Sequence, residues 1–146
     1  PPAALTRARA SMRRSGSSLA ARHKTLSYID NVMARREAVR AGADMAWLLD
    51  TGGHLSGADC ANLFWLRQGR LFTPALECAV LAGTARAAIM AGMKVEQGRF
   101  GPDSLAGADC VFVTNALMGA VAVTQIDGGP VGTGQAVPDA VKALLD

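Results

Sequence analysis

An α+β fold is expected from three features of the sequence. Short apolar runs of strand character are separated by turn residues. A few stretches of helical period fall irregularly among them, without the regular strand–helix alternation of a parallel α/β sheet. The apolar fraction of 50% over 146 residues is enough for a packed core.

Residues 1–18 have weak periodicity and carry Arg7, Arg9, Arg13 and Arg14; they are expected to form a solvated basic segment. Residues 26–41 predict a helix. Leu26, Ile29, Val32, Met33 and Val39 recur at helical spacing to face a core, Arg35, Arg36 and Arg40 are left to solvent, and Gly42 closes the helix. Met45–Asp50 reads as a buried strand and Thr51-Gly52-Gly53 as a turn. Residues 54–66 read as extended, and residues 67–70 as a hairpin turn into Leu71-Phe72, broken by Thr73-Pro74. A helix opens on Gly83 and runs to residue 91; a short strand covers 95–100 and a helical turn 104–108. Strands follow at 111–114 and 120–126, then a turn at 127–130. The final helix, 137–145, carries Pro138 in its first turn, where no N–H is needed.

Composition excludes several function classes. The net charge is +3, and the cations near the N-terminus have no aromatic residues interleaved, so nucleic acid is not an expected partner. No apolar run is long enough to span a bilayer, so no membrane partner is expected. The start shows no signal peptide, which points to the cytoplasm. Cys60, Cys78 and Cys110 are odd in number and lack CxxC spacing. They are read as buried free thiols, with no metal site expected.

Lys24 is the leading chemical candidate. Of the fifteen Lys and Arg residues only Lys24, Lys94 and Lys142 are lysines. A lysine amine can form an imine, whereas a guanidinium does not give up its proton. The same residue could equally be a surface lysine laying its stem on apolar neighbours. Gly83 could mark an anion-binding helix N-terminus or a plain helix start. Thr114, Asn115 and Ala116 could border a ligand or form a strand end closed by an Asn turn.

Three stretches, in order and spacing, carry a family resemblance. They are Lys24-Thr25-Leu26-Ser27-Tyr28 with the helix after it; Ala61-Asn62-Leu63-Phe64-Trp65 through Leu71-Phe72-Thr73-Pro74 to Gly83-Thr84-Ala85-Arg86; and Val111-Phe112-Val113-Thr114-Asn115-Ala116-Leu117-Met118. Together they resemble the C-terminal domain of the class IV aminotransferases, the fold-type IV pyridoxal-phosphate enzymes. The resemblance implies a mixed sheet, or pseudo-barrel, with flanking helices over residues 19–146. Residues 1–18 become the stub of an interdomain linker. The family's N-terminal domain is missing from this chain, which would make it a fragment or a half-enzyme. A homodimer and a small-molecule amino substrate are implied as well.

The resemblance also implies roles. Lys24 would hold pyridoxal 5′-phosphate as a Schiff base and move the substrate proton. Gly83, Thr84 and Ala85 would hold the phosphate, with Ala85 where many members have a threonine. Thr114, Asn115 and Ala116 would flank the phosphate and the substrate carboxylate. Gly57 stands where the family has the glutamate that pairs with the ring nitrogen. Asp59, two residues on and on the same side of an extended strand, could replace it if the strand shifts or bulges. Gln97 and Cys110 stand where acidic residues are common. Ala61–Trp65 and Asn115–Met118 are most similar to 4-amino-4-deoxychorismate lyase, which forms 4-aminobenzoate and pyruvate. A D- or branched-chain amino-acid aminotransferase is the alternative, and a non-catalytic domain of the same fold is a third.

Overall fold

The computed structural model describes residues 4–146. Among the described residues, nine strands form one mixed sheet. Those on the main path are β1 (Ala4–Arg14), β2 (Met45–Asp50), β3 (Leu55–Ala58), β4 (Asn62–Arg67), β5 (Arg70–Pro74), β6 (Val95–Gly98), β7 (Cys110–Asn115) and β8 (Gly119–Ile126). Their spatial order is β3-β2-β1-β8-β7-β4-β5-β6, and the short β9 (Gly129–Pro130) pairs with β8. The β1–β2, β1–β8 and β5–β6 pairs are parallel and the rest antiparallel. The sheet curls into a half-barrel, so that β3, at one edge, returns to the start of β4 through a bond from Ala58 N–H to Ala61 C=O of 2.9 Å. Helices flank it: α1 (Leu19–Arg22), α2 (Ile29–Arg40), α3 (Thr84–Gly92) and α4 (Asp139–Ala143).

Period-two alternation sorts the core. On the inner face Met45, Trp47 and Leu49 of β2 meet Leu63 and Trp65 of β4 and Val111 and Val113 of β7. On the outer face Phe64 and Phe112 stack at 5.4 Å beneath Ile89 of α3 and Val141 of α4. Farther along, Ala46 and Leu48 of β2 pack with Ala34 and Ala38 of α2. Burial on both faces explains why β2, β4 and β7 read as near-continuous apolar runs. The apolar stripe Leu63-Phe64-Trp65 is therefore sheet core.

Three expectations are corrected. Residues 4–14 are not a solvated segment: Ala4–Arg14 is a central strand, bonded to β2 and β8. Pro1 to Ala3 lie outside the described residues. Arg7 within the strand is buried, its Nη2 donating to Met45 Sδ at 3.6 Å. Second, α2 presents the opposite face from the one its spacing suggests. Alanines 34 and 38 let the helix approach the sheet closely, while Leu26 before it and Ile29, Val32, Met33 and Val39 within it stay exposed. Arg35 and Glu37 reach instead to specific partners, Asp59 and Ser11. Third, the extended stretch 54–66 is two strands separated by a bend at residues 59–61.

Candidate functional site

The bend at 59–61 is held by side chains from three separate elements. Arg14 Nη2, from the end of β1, donates to the Ala58 carbonyl at 2.9 Å and also to Asn31 Oδ1. The Tyr28 hydroxyl, at the start of α2, donates to the Asp59 carbonyl at 2.7 Å. Asn115 Nδ2, from the end of β7, donates to the Cys60 carbonyl at 3.1 Å. Three consecutive carbonyls are thus satisfied by three side chains, which fixes a backbone that leaves the sheet ladder.

This bend forms one wall of a cleft of about 310 Å³. Lys24 lines it from the α1–α2 loop, with Nζ 5.4 Å from the centroid of the Tyr28 ring. Opposite elements contribute Gly83, Thr84 and Ala85 from the start of α3, and Thr114, Asn115 and Ala116 from the β7–β8 turn. Asp59 also lines the cleft. Apart from Gly57, the residues expected to meet the cofactor therefore converge on one space.

Two features suit that space to an anion. The N-terminus of α3 has Gly83 as N-cap and no side-chain cap, so the first N–H groups of the helix lack an intrahelical partner. Beside it, the Thr114 hydroxyl is buried without a hydrogen-bond partner. Gly83 is required sterically: a Cβ there would lie 2.4 Å from Asn62 Oδ1, while Asn62 Nδ2 donates to the Leu81 carbonyl at 2.9 Å. Asn62 so anchors the segment leading into α3.

Other expected residues sit differently. Gly57 is in β3, flanked by Ser56 and Ala58 of the cleft, but does not itself line it. Its φ of +145° favours glycine, and a Cβ there would lie 3.2 Å from the Ala61 carbonyl and 4.0 Å from Arg14 Nη1. Asp59 does not follow Gly57 on the same side of a strand, because β3 ends at Ala58. Its Oδ2 pairs with Arg35 at 3.1 Å and its Oδ1 is buried without a partner. Asp59 is the leading opposing charge to buried Arg7; burial pulls Arg7 down to about 10, which leaves it cationic at neutral pH. Asn115 forms the Asn turn: its Oδ1 accepts the N–H groups of Leu117 and Met118, each at 2.9 Å. Gln97 accepts from buried Arg86 at 2.6 Å and is structural. Cys78 and Cys110 are buried free thiols, whereas Cys60 is exposed.

Nothing in the sequence marks Arg14, which stands among several N-terminal arginines. Burial lowers its pKa, and it lines the cleft. Tyr28 could be singled out only as part of the Lys24 motif; burial first, then Cys60 and Asp59, push its hydroxyl up.

Comparisons with known proteins agree with this geometry. The model of the family "Amino-transferase class IV" matches residues 1–126. A branched-chain-amino-acid aminotransferase of Pseudomonas aeruginosa is 30% identical over 117 residues, covering 77% of this chain and 38% of that protein. A Legionella pneumophila structure named for 4-amino-4-deoxychorismate lyase superposes with a TM-score of 0.90 at 27% identity, over 97% of this chain and 55% of that one. The branched-chain amino acid aminotransferase of Escherichia coli superposes with a TM-score of 0.87 at 28% identity, over 99% of this chain and 51% of that one. The chain thus spans well under half of the curated relative and about half of the solved ones. Sequence, fold and cleft converge: the chain belongs to the class IV aminotransferase family.

Proposed function

We propose that this chain is the cofactor-binding part of a pyridoxal-phosphate-dependent aminotransferase that acts on branched-chain or similar α-amino acids. One observation carries the reading: Lys24 and the uncapped start of α3 line the same cleft, with the buried, unpartnered Thr114 hydroxyl in its wall. The phosphate end of the cofactor would sit at the start of α3, where the N–H groups of Thr84 and Ala85 would hold the dianion. Ala85 would contribute its backbone N–H there. Lys24 would hold the aldehyde carbon and, once freed by substrate, carry a proton to and from the substrate carbon. The bound cofactor supplies the electron-poor ring that makes that proton removable.

Tyr28 positions Lys24 by lying under its amine, and its hydroxyl is locked on the Asp59 carbonyl. At the ring-nitrogen end Gly57 brings no carboxylate. Asp59 is committed on Oδ2 to Arg35 and its Oδ1 is buried, so neither oxygen is free to take that role. The named relatives by sequence favour the aminotransferase over the lyase that the motifs alone put first. The lyase is kept as a second reading because the Legionella structure superposes with a TM-score of 0.90.

The test is direct. The chain is incubated with pyridoxal 5′-phosphate, reduced with borohydride, and mapped by mass spectrometry; the adduct is expected on Lys24. Unreduced protein is then given leucine, isoleucine and valine in turn, and in parallel 4-amino-4-deoxychorismate. Accumulation of pyridoxamine 5′-phosphate supports the aminotransferase, and release of 4-aminobenzoate supports the lyase. An adduct at another lysine, or none, overturns both.

A further inference from the structure

Outside the cleft lining lies a second cluster that the proposed chemistry does not use. Asp50 ends β2, His54 follows the Thr51-Gly52-Gly53 turn, and Cys78 belongs to the 3-10 turn Leu76–Cys78. One ligand atom from each lies within 4.8 Å of the other two. His54 Nδ1 is 3.1 Å from both oxygens of Asp50. Cys78 and Asp50 are buried, and His54 is partly exposed.

From this arrangement we propose a binding site for a zinc-class divalent transition ion, formed by Asp50, His54 and Cys78. The geometry suits such an ion. Bonds of about 2.0–2.1 Å to nitrogen and oxygen at tetrahedral angles put those two ligands about 3.3 Å apart, close to the observed separation. The sulfur and imidazole select a borderline or soft ion over magnesium or calcium. Three protein ligands leave the fourth position to water, and the exposed side of His54 is the route of entry.

The loop is built around this imidazole. A Cβ on Gly52 would lie 2.8 Å from His54 Nδ1 and Cε1, so glycine is what lets the ring fold back over Asp50. Asp50 Oδ1 also accepts the His54 backbone N–H at 2.8 Å, which holds the carboxylate for the ring. Without metal, Asp50 and His54 are hydrogen-bonded to each other and the Cys78 sulfur stands beside them. A metal-bound cysteine is a thiolate, so binding releases the thiol proton to solvent, and thiolate and carboxylate together balance a divalent charge.

The site has structural reach. Cys78 precedes Ala79, whose carbonyl accepts the Ser56 hydroxyl at 3.2 Å, and the chain then runs on to Gly83. An ion here would clamp β2 to the segment that leads into α3.

The experiment is a cobalt titration of the tag-free chain, freed of metal with a chelator. One Co²⁺ per chain should bind with a thiolate-to-cobalt charge-transfer band in the near ultraviolet, and Zn²⁺ should bleach it. The band should persist in Cys60→Ser and Cys110→Ser and vanish in Cys78→Ser. Should Cys78→Ser fold poorly, His54→Ala, a partly exposed change, decides the matter: Zn²⁺ should raise the melting temperature of the wild type but not of this variant. No charge-transfer band at saturating Co²⁺, the same band without Cys78, or equal Zn²⁺ stabilisation of His54→Ala would overturn the proposal.

Discussion

Asn62 Oδ1 occupies the space that a side chain on residue 83 would need, at 2.4 Å from the position of its Cβ. Gly83→Ala is therefore expected to push the start of α3 outward. Overpacking of this kind costs about 1–3 kcal/mol, and pyridoxal 5′-phosphate should bind more weakly as well. Asn62→Ala in the same background should restore part of the loss. Urea denaturation of the two single variants and the double variant checks this; additive losses would count against it.

Arg7 and Asp59 give a second prediction. Arg7 is buried with Nε and Nη1 unpartnered, and Asp59 is its leading opposing charge. Asp59→Ala removes that opposing charge and the partner of Arg35, and should cost about 1–3 kcal/mol. Arg7→Met, beside Met45, should instead leave stability unchanged or raise it by about 1 kcal/mol or more, since the desolvated charge is gone. Guanidinium denaturation reads both.

The acid limb of stability should depend on two carboxylates at the surface. Asp44 accepts the Thr6 N–H at 2.8 Å and Glu37 the Ser11 N–H at 2.7 Å, and these bonds hold both groups below their ordinary values. A carboxylate lowered on folding stabilises the native state above its unfolded pKa, and that contribution disappears as pH falls through the folded one. Stability should therefore drop below about pH 4. Asp44→Asn with Glu37→Gln should flatten the drop, at the expense of stability near neutral pH. Thermal melts across the acid range test this.

The exposed stripe of α2 predicts self-association. Ile29, Val32 and Val39 face away from the sheet. Val32→Glu with Val39→Glu should change chain stability by no more than about 0.5 kcal/mol, yet abolish concentration-dependent association in sedimentation velocity. A wild-type chain that stays monomeric at high concentration would refute it.

Much of the fold was legible where apolar residues run without interruption. All six residues of β2 are buried, as its sequence suggests, and α3 does start after Gly83. β1 is hidden because Arg7 fills a buried position and the strand's register slips between Arg9 and Arg13, so no period of two runs its length. The face of α2 was misread because alanines, not the larger apolar residues, make the close contact. At the site, Lys24 and the start of α3 were readable as residue types with definite chemistry. The clamp on the carbonyls of residues 58–60 was not, since it depends on side chains brought together from β1, α2 and β7. The Asp50, His54 and Cys78 cluster escaped for the same reason: its cysteine is remote in sequence from its other members.

The first strand of the described chain is also a middle strand of the sheet, parallel to both β2 and β8. During synthesis it must wait beside β2 with one edge open until residues 119–126 have left the ribosome. Such distant pairing is slow, and an unpaired edge invites association with other nascent chains. Release of a product truncated before Gly119 would therefore yield not a smaller domain but an aggregation-prone sheet with its centre exposed.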